Sequence, residues 1–262
     1  MEETILTKIK RKHFYFRRKP NEKSIGMAGI SIQKLEWDSA FLGYNIGAVT
    51  IEGQSTETLM NLKEALASSD CDLIYLFNHA PGNLNEIEYL IPSAKWVDEK
   101  VTFVKSTIGK AETINTRKEI HSAYAANERL YNLVVQIGEF SRFFTDKKIG
   151  KDNYQRLYKT WLEKSLSRSI CDEVCVWGND EGLITLGEKK GRLDIGLIGV
   201  DFNSRGKGVG TQLLQHAEEY AMHKGFHDIQ VVTQAQNTPA VNLYLKAGFH
   251  KESSVNVFHI WK

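Results

Sequence analysis

Arg205-Gly206-Lys207-Gly208-Val209-Gly210 lies between an apolar run, residues 195–200, and a segment with the spacing of an amphipathic helix. Its glycines occupy alternate positions, where they permit a tight turn whose backbone N–H groups point at one spot. A helix that begins directly behind such a turn adds the positive end of its dipole. The stretch predicts a cradle for a pyrophosphate, and hence a nucleotide-like cofactor. The alternative is an ordinary glycine-rich turn before a helix.

Two common phosphate-binding motifs do not fit this stretch. A Walker A loop requires Gly, four residues and then Gly-Lys-Ser/Thr, a spacing that does not occur. In the Rossmann fingerprint the third glycine would come one residue later, and Asp228 precedes the strand predicted at 229–233 instead of following it. The pattern that fits is Arg/Gln-x-x-Gly-x-Gly/Ala, which Arg205, Gly208 and Gly210 match in full.

The sequence after the loop is equally regular. One face of the predicted helix carries the residues Val209, Leu213, Leu214, Ala217 and Ala221, and Gly225 ends it. A strand at 229–233 follows. A second helix is then predicted, with Thr238 as N-cap, Pro239 in its first turn and Gly248 at its end. A last strand is predicted at 255–261.

This order of strand, loop with helix, strand and Asn-x-x-Ala-x-x-x-Tyr helix resembles the core of the Gcn5-related N-acetyltransferase (GNAT) superfamily, over residues 111–262. The resemblance implies an α/β (α+β) fold with a mixed, mostly antiparallel sheet flanked by helices. It also implies acetyl-CoA as cosubstrate and no metal. The implied cofactor-binding residues are Ile198, Val200, Arg205, Gly206, Lys207, Gly208, Val209, Gly210, Asn237 and Tyr244.

Acetyl transfer to an amine requires an unprotonated nitrogen, a donor for the tetrahedral oxyanion and a proton for the departing thiolate. The resemblance implies that Tyr244 supplies that proton and that the backbone N–H of Val200 meets the oxyanion. The alternative for Tyr244 is a core tyrosine. Asn237 contacts the pantetheine or caps a turn, and Lys207 lies near phosphate or is solvated. The general base is unassigned, and a water relay would replace it.

Three further stretches resemble the dTDP-fucosamine acetyltransferase group, whose acceptor is the 4-amine of dTDP-4-amino-4,6-dideoxygalactose. They are residues 35–43, Ser141-Arg142-Phe143 with 158–166, and 191–201. The segment 144–146 departs from the arrangement expected after Ser-Arg-Phe. The implied reaction is direct attack by the sugar amine on acetyl-CoA in a ternary complex.

The candidate acceptor site is Glu139, Ser141, Arg142 and Phe143. An arginine such as Arg142 suits a diphosphate, and Phe143 suits a sugar or thymine face. The alternative is a helix–helix connection with Phe143 in the core, Arg142 solvated and Glu139 a surface residue. Other functional interpretations are a GNAT enzyme that acts on an aminoglycoside, a polyamine or a protein N-terminus, or a non-catalytic CoA-binding module.

Length and composition set the remaining expectations. A chain of 262 residues exceeds one minimal unit, so we expect an N-terminal mixed α/β domain at 1–110 and a GNAT domain at 111–262. The net charge of +2 argues against a general nucleic-acid surface. No apolar run reaches membrane-spanning length, and no signal-peptide pattern opens the chain. The expected location is cytoplasmic, the substrate is a small molecule, and a homodimer remains open.

Elsewhere the pattern predicts a basic edge strand within 8–19, a helical stripe over 120–138, an amphipathic helix over 154–166 and a hairpin over 174–186. Cys71, Cys171 and Cys175 have no disulfide or metal spacing, which indicates small apolar core residues.

Overall fold

The computed structural model describes residues 30–80, 84–108 and 119–262. The predicted basic strand at 8–19 lies outside the described residues. So does the predicted domain boundary near residue 110, and the division at that point stays a prediction. No helix in the described ranges has the length and apolar character needed to cross a membrane.

The described residues form ten strands and eight α-helices. The strands are β1 (Gln33–Lys34), β2 (Ile46–Ile51), β3 (Leu73–Asn78), β4 (Ala94–Ser106), β5 (Ile120–Ser122), β6 (Glu173–Trp177), β7 (Gly182–Lys189), β8 (Arg192–Val200), β9 (Asp228–Gln234) and β10 (His250–Trp261). The helices are α1 (Glu36–Leu42), α2 (Thr56–Ser68), α3 (Leu84–Leu90), α4 (Glu128–Ile137), α5 (Arg142–Thr145), α6 (Lys151–Leu166), α7 (Val209–Lys224) and α8 (Thr238–Lys246).

All the described strands belong to one sheet, in the order β1-β2-β3-β10-β4-β9-β8-β7-β6-β5. Two of its pairings are parallel, β2 with β3 and β8 with β9, and the others are antiparallel. This confirms the expected mixed, mostly antiparallel sheet. The last strand of the chain, β10, lies between β3 and β4, so both halves of the sequence contribute to the centre of the sheet.

Helices cover both faces of the sheet. On one face, called the α7 face, α7 and α8 pack on β4, β8 and β9, and α2 and α3 pack on β3 and β10. On the other, called the α6 face, α1, α4, α5 and α6 enclose an apolar core with Tyr75 of β3 and Leu197 of β8. The sheet therefore separates two layers of helices, and any ligand that contacts both layers must pass through or around it.

Regular segments fold as the pattern predicts. The five residues expected to form the inner face of α7 are all buried, and Gly225 ends the helix with a φ of 76°. The predicted hairpin of β6 and β7 forms around residues 178–181. The helix predicted over 154–166 is present as α6.

Two predicted helix starts are wrong, for the same physical reason. The helix predicted from residue 120 begins only at Glu128, because the side chain of Asn127 accepts a hydrogen bond from Leu130 N–H at 3.0 Å, while Ile120 lies in β5. Helix α8 is capped by Asn237 instead of Thr238. In both places an asparagine whose side chain caps the first turn sets the boundary.

Candidate active site

A gap opens between the parallel strands β8 and β9. Their ladder runs from the pair Leu193–Ile229 to the pair Ile195–Val231 and ends there. Beyond it β8 stays paired with β7 as far as Val200, and β9 stays paired with β4 through Gln234. The facing edges of the two strands are therefore unpaired over their last residues, at the carboxyl ends where a ligand can enter an open α/β sheet.

A bulge in β8 directs its backbone into this gap. Two residues of β8 lie opposite Thr185, whose hydroxyl accepts a hydrogen bond from Leu197 N–H at 2.8 Å. Asp201 N–H likewise points toward β7 and donates to Glu181 O at 2.8 Å. Because successive N–H groups of a strand point to opposite edges, those of Ile198 and Val200 face the gap. Contact of these two residues with acetyl-CoA stays a prediction.

The glycine-rich loop lies at the mouth of the gap. Gly206 and Gly208 have φ of 77° and 80°, a region that L side chains rarely adopt. A Cβ at either position would meet nothing within 4 Å, and residues 205–208 are all exposed. Arg205 folds back along the loop and donates to Val200 O at 3.1 Å. The loop is therefore open to solvent, with room for a ligand against its backbone.

The start of α7 offers unsatisfied donors to this opening. No side chain caps the helix at Gly208, and its first turn contains no acidic residue. The first N–H groups of a helix have no partner within it, and the helix dipole adds positive potential there. Gly210 allows α8 to approach, since a Cβ at that position would lie 3.0 Å from the Leu243 side chain. The glycines thus have separate roles, two in loop geometry and one in helix packing.

Asn237 and Tyr244 both belong to α8. The Asn237 side chain accepts a hydrogen bond from Ala240 N–H at 3.3 Å and donates to the Thr233 hydroxyl at 3.4 Å, so it has the capping role that the sequence left open. The Tyr244 side chain is 3% exposed and its ring packs near Phe103 and Phe249. Burial raises the pKa of Tyr244, which keeps the phenol protonated. Its acid role stays a prediction.

The predicted acceptor residues lie on the α6 face. Phe143 is buried, as the alternative interpretation expected, and Glu139 is exposed in a short 3-10 turn. Arg142 is half-buried, not solvated, and its guanidinium carbon lies 4.1 Å from the centroid of the Tyr75 ring and 4.6 Å from that of Phe143. Among the described residues, no hydrogen bond or ion pair engages that guanidinium.

Sequence reasoning missed the charged residues that surround this arginine. The Arg142 cluster, as we define it, consists of Arg142, Asp38, Tyr75, Asp98, Lys100 and His259. Its members come from α1, β3, β4, α5 and β10. No motif links such distant positions, and the signal in the sequence was limited to Asp98 and Lys100, two charged residues within a strand.

Burial dominates the electrostatics of the cluster. It raises the pKa of Asp98 to about 7, although Arg142 and Lys100 oppose the shift, and it lowers the pKa of Lys100 to about 8. Burial also lowers the pKa of His259 to about 4, against the effect of Asp146, whose carboxylate lies 2.6 Å from His259 Nδ1. His259 is therefore neutral at pH 7, with one ring nitrogen held by Asp146.

Several buried polar atoms of this region lack a partner. Of six such side-chain atoms among the described residues, four lie in or beside the Arg142 cluster: Tyr75 Oη, Asp98 Oδ1, Ser141 Oγ and His259 Nε2. Native proteins pair nearly all buried polar groups, so a concentration of unpaired ones indicates a place where ligand groups or water bind. The α6 face thus carries a second polar site, apart from the glycine-rich loop.

The chain is similar to one protein family and to several individual proteins. The model of the acetyltransferase (GNAT) family matches residues 154–249, from α6 to the end of α8. dTDP-fucosamine acetyltransferase of Escherichia coli O6:H1 is 25% identical over 235 residues, which are 86% of this chain and 95% of that protein. Spore coat polysaccharide biosynthesis protein SpsD of Bacillus subtilis is 24% identical over 123 residues, 46% of this chain and 43% of that protein.

The chain is also similar to a solved structure of a functionally unknown conserved protein from Staphylococcus epidermidis, with a TM-score of 0.56 and 13% identity. The similarity covers 83% of this chain and 85% of that chain, and it supports the fold only. The matched residues 154–249 contain β8 with its bulge, the glycine-rich loop, α7, β9 and the capped start of α8. Residues 154–249 of this chain therefore match the acetyltransferase (GNAT) family as a domain.

Proposed function

We propose that this enzyme transfers the acetyl group of acetyl-CoA to the amine of a nucleotide-linked amino sugar, specifically the 4-amine of dTDP-4-amino-4,6-dideoxygalactose. The reaction proceeds by direct attack in a ternary complex. Similarity to a dTDP-fucosamine acetyltransferase over 86% of the chain supports this acceptor. The observation that carries the proposal is the mixed charge of the Arg142 cluster.

The possible acceptors differ in charge. A nucleotide-linked amino sugar carries both a diphosphate and an ammonium group. The cluster offers Arg142 and Lys100 to the anion, and Asp38 and Asp98 to the cation. A polyamine or aminoglycoside brings only positive charge, and burying it beside an unpaired arginine would be unfavourable. The half-buried guanidinium on Tyr75 suits bidentate contact with phosphate oxygens.

The glycine-rich loop has the complementary role toward acetyl-CoA. Its exposed backbone and the uncapped start of α7 would hold the pyrophosphate, aided by Lys207 and Arg205. The edge of β8 at Ile198 and Val200 would bind the pantetheine with strand-like hydrogen bonds. Acetyl-CoA supplies the activated acyl group, and the Val200 N–H would meet the oxyanion that forms on its carbonyl. Tyr244 would then protonate the departing thiolate.

A CoA-release assay tests the acceptor. The purified enzyme is incubated with acetyl-CoA and, in parallel, with dTDP-4-amino sugars, polyamines and aminoglycosides. We expect release with a dTDP-4-amino sugar and little with the others. Release with a polyamine or aminoglycoside alone would overturn the acceptor assignment and leave the cofactor assignment intact. A homodimer and a cytoplasmic location remain predictions.

A further inference from the structure

Asp98 is a buried carboxylate with one oxygen unused. Its side chain is 4% exposed, and Oδ1 has no hydrogen-bond partner among the described residues. The carboxylate accepts a side-chain hydrogen bond from Gln234, the last residue of β9. A buried carboxylate without full pairing is costly for the fold, so its presence in the centre of the sheet calls for a functional reason.

The sheet places this carboxylate on the acceptor side. Val101 and Phe103 of β4 pack with α7 and α8 on the α7 face. Because side chains alternate along a strand, Asp98 and Lys100 point to the α6 face, where both interact with Arg142. The phosphate loop and Asp98 therefore lie on opposite sides of the sheet.

The gap between β8 and β9 connects the two sides. Lys100 lies opposite Gln234 in the β4–β9 ladder, so Asp98 is close to the carboxyl end of β9. Val200 ends β8, and because β8 and β9 are parallel, their last residues lie at the same edge of the sheet. A thioester held along β8 would thus be reached from the α6 face, past the carboxylate of Asp98.

We propose that Asp98 is the proton acceptor for the acceptor amine. This inference rests on the proposed function, since it assumes that the amine binds in the Arg142 cluster. The Asp98 carboxylate takes one proton from the ammonium group and frees the nitrogen lone pair. The nitrogen then attacks the thioester carbon, so that a C–N bond forms and the C–S bond breaks. The thiolate sulfur receives a proton from the Tyr244 hydroxyl. The resulting phenolate then takes a proton from the attacking nitrogen. Asp98 returns its proton to solvent.

The protonation equilibrium of Asp98 agrees with this role. Burial raises its pKa to about 7, and Glu99 adds to the shift, whereas Arg142, Lys100 and Gln234 lower it. Asp38 interacts with Arg142 as well and has its own pKa raised by burial. A base whose pKa lies near the working pH is present as carboxylate yet still binds a proton, which is the condition for efficient general base catalysis.

The test compares Asp98→Asn with Glu99→Gln, a neighbour in β4 whose carboxylate pairs with Lys251 at 3.3 Å. For whichever amine the CoA-release assay identifies, kcat/KM is measured from pH 5.5 to 9, and acetyl-CoA affinity is measured by calorimetry. We expect Asp98→Asn to lower kcat/KM at pH 7 by about 100-fold or more and to remove the acidic limb near pH 7. Acetyl-CoA affinity should stay within about twofold of that of the wild type. Glu99→Gln should keep the limb, moved if at all to lower pH.

Unchanged rate and pH profile in Asp98→Asn would overturn the inference, and so would parallel loss of acetyl-CoA binding, which would indicate a structural role. If Asp98→Asn does not fold, Asp98→Glu decides the question. An acidic limb that shifts in this variant supports proton transfer to residue 98, and an unmoved limb contradicts it. Because the amine is identified first, a wrong sugar assignment and a wrong base give separate results.

Discussion

Replacing Gly208 by alanine tests whether the loop binds the cofactor. Gly225, at the other end of the same helix, is a matched control for the effect of backbone strain alone. Gly208 begins α7 with a φ of 80°, and Gly225 ends it with a φ of 76°. A Cβ would meet nothing within 4 Å at either position. Each alanine should therefore destabilise the fold by a similar amount, about 1–2 kcal/mol for a left-handed L residue.

Only Gly208→Ala should weaken the binding of acetyl-CoA. If the loop relaxes toward negative φ, at least one N–H turns away from the pyrophosphate, and a hydrogen bond to a charged group contributes about 1.5–3 kcal/mol. The dissociation constant should rise about 10- to 150-fold, as measured by isothermal titration calorimetry, while Gly225→Ala binds like the wild type. Thermal unfolding checks that both variants lose comparable stability. Equal affinities of the two variants, within about twofold, would refute the cradle.

Three further substitutions test other parts of the site. Tyr244→Phe should lower kcat by about 100-fold or more with unchanged acetyl-CoA affinity, since only the proton donor is lost, and unchanged turnover in steady-state assays would exclude the acid role. Arg142→Lys should raise KM for the nucleotide sugar about 10-fold or more and spare kcat, because lysine cannot form the bidentate contact; equal loss with a simple amine would count against a phosphate contact. His259 has a folded pKa near 4 and an unfolded value near 6.5, so the unfolded state binds more protons between these values. Stability should fall as pH drops through that window, by up to about 1.4 kcal/mol per unit, and chemical denaturation should show a shallower fall for His259→Gln.

The structure of the glycine-rich loop and of α7 was largely predictable because its signals are local. The inner face of α7, its glycine stop and the positive-φ glycines of the loop follow from residues fewer than twenty apart. The backbone direction at Val200 could not be read in this way. It depends on the bulge opposite Thr185, and a bulge adds one residue without changing the apolar pattern on either side.

The Arg142 cluster was not predictable, because its residues meet through pairing of distant strands. Ser141-Arg142-Phe143 was identified, yet the aromatic ring beneath the guanidinium belongs to Tyr75 and the neighbouring acid to Asp98. From the sequence, Arg142 was expected to be solvated or to contact a phosphate. Neither expectation included the acidic residues beside it. A sequence pattern predicts that a carboxylate in the middle of a strand is solvated, because it does not reveal which face of the sheet the side chain occupies.

Strand β10 lies between β3 and β4. Its position explains why the family match includes the glycine-rich loop and leaves out the Arg142 cluster. The family match ends at residue 249, one residue before β10 begins, and it contains the loop and the gap but none of the Arg142 cluster. His259 lies beside Tyr75 and Asp146 on a strand that pairs with β3, and the same strand pairs with β4 at Asp98. For this chain, the residues around Arg142 lie outside the matched segment, and the proposed acceptor depends on them.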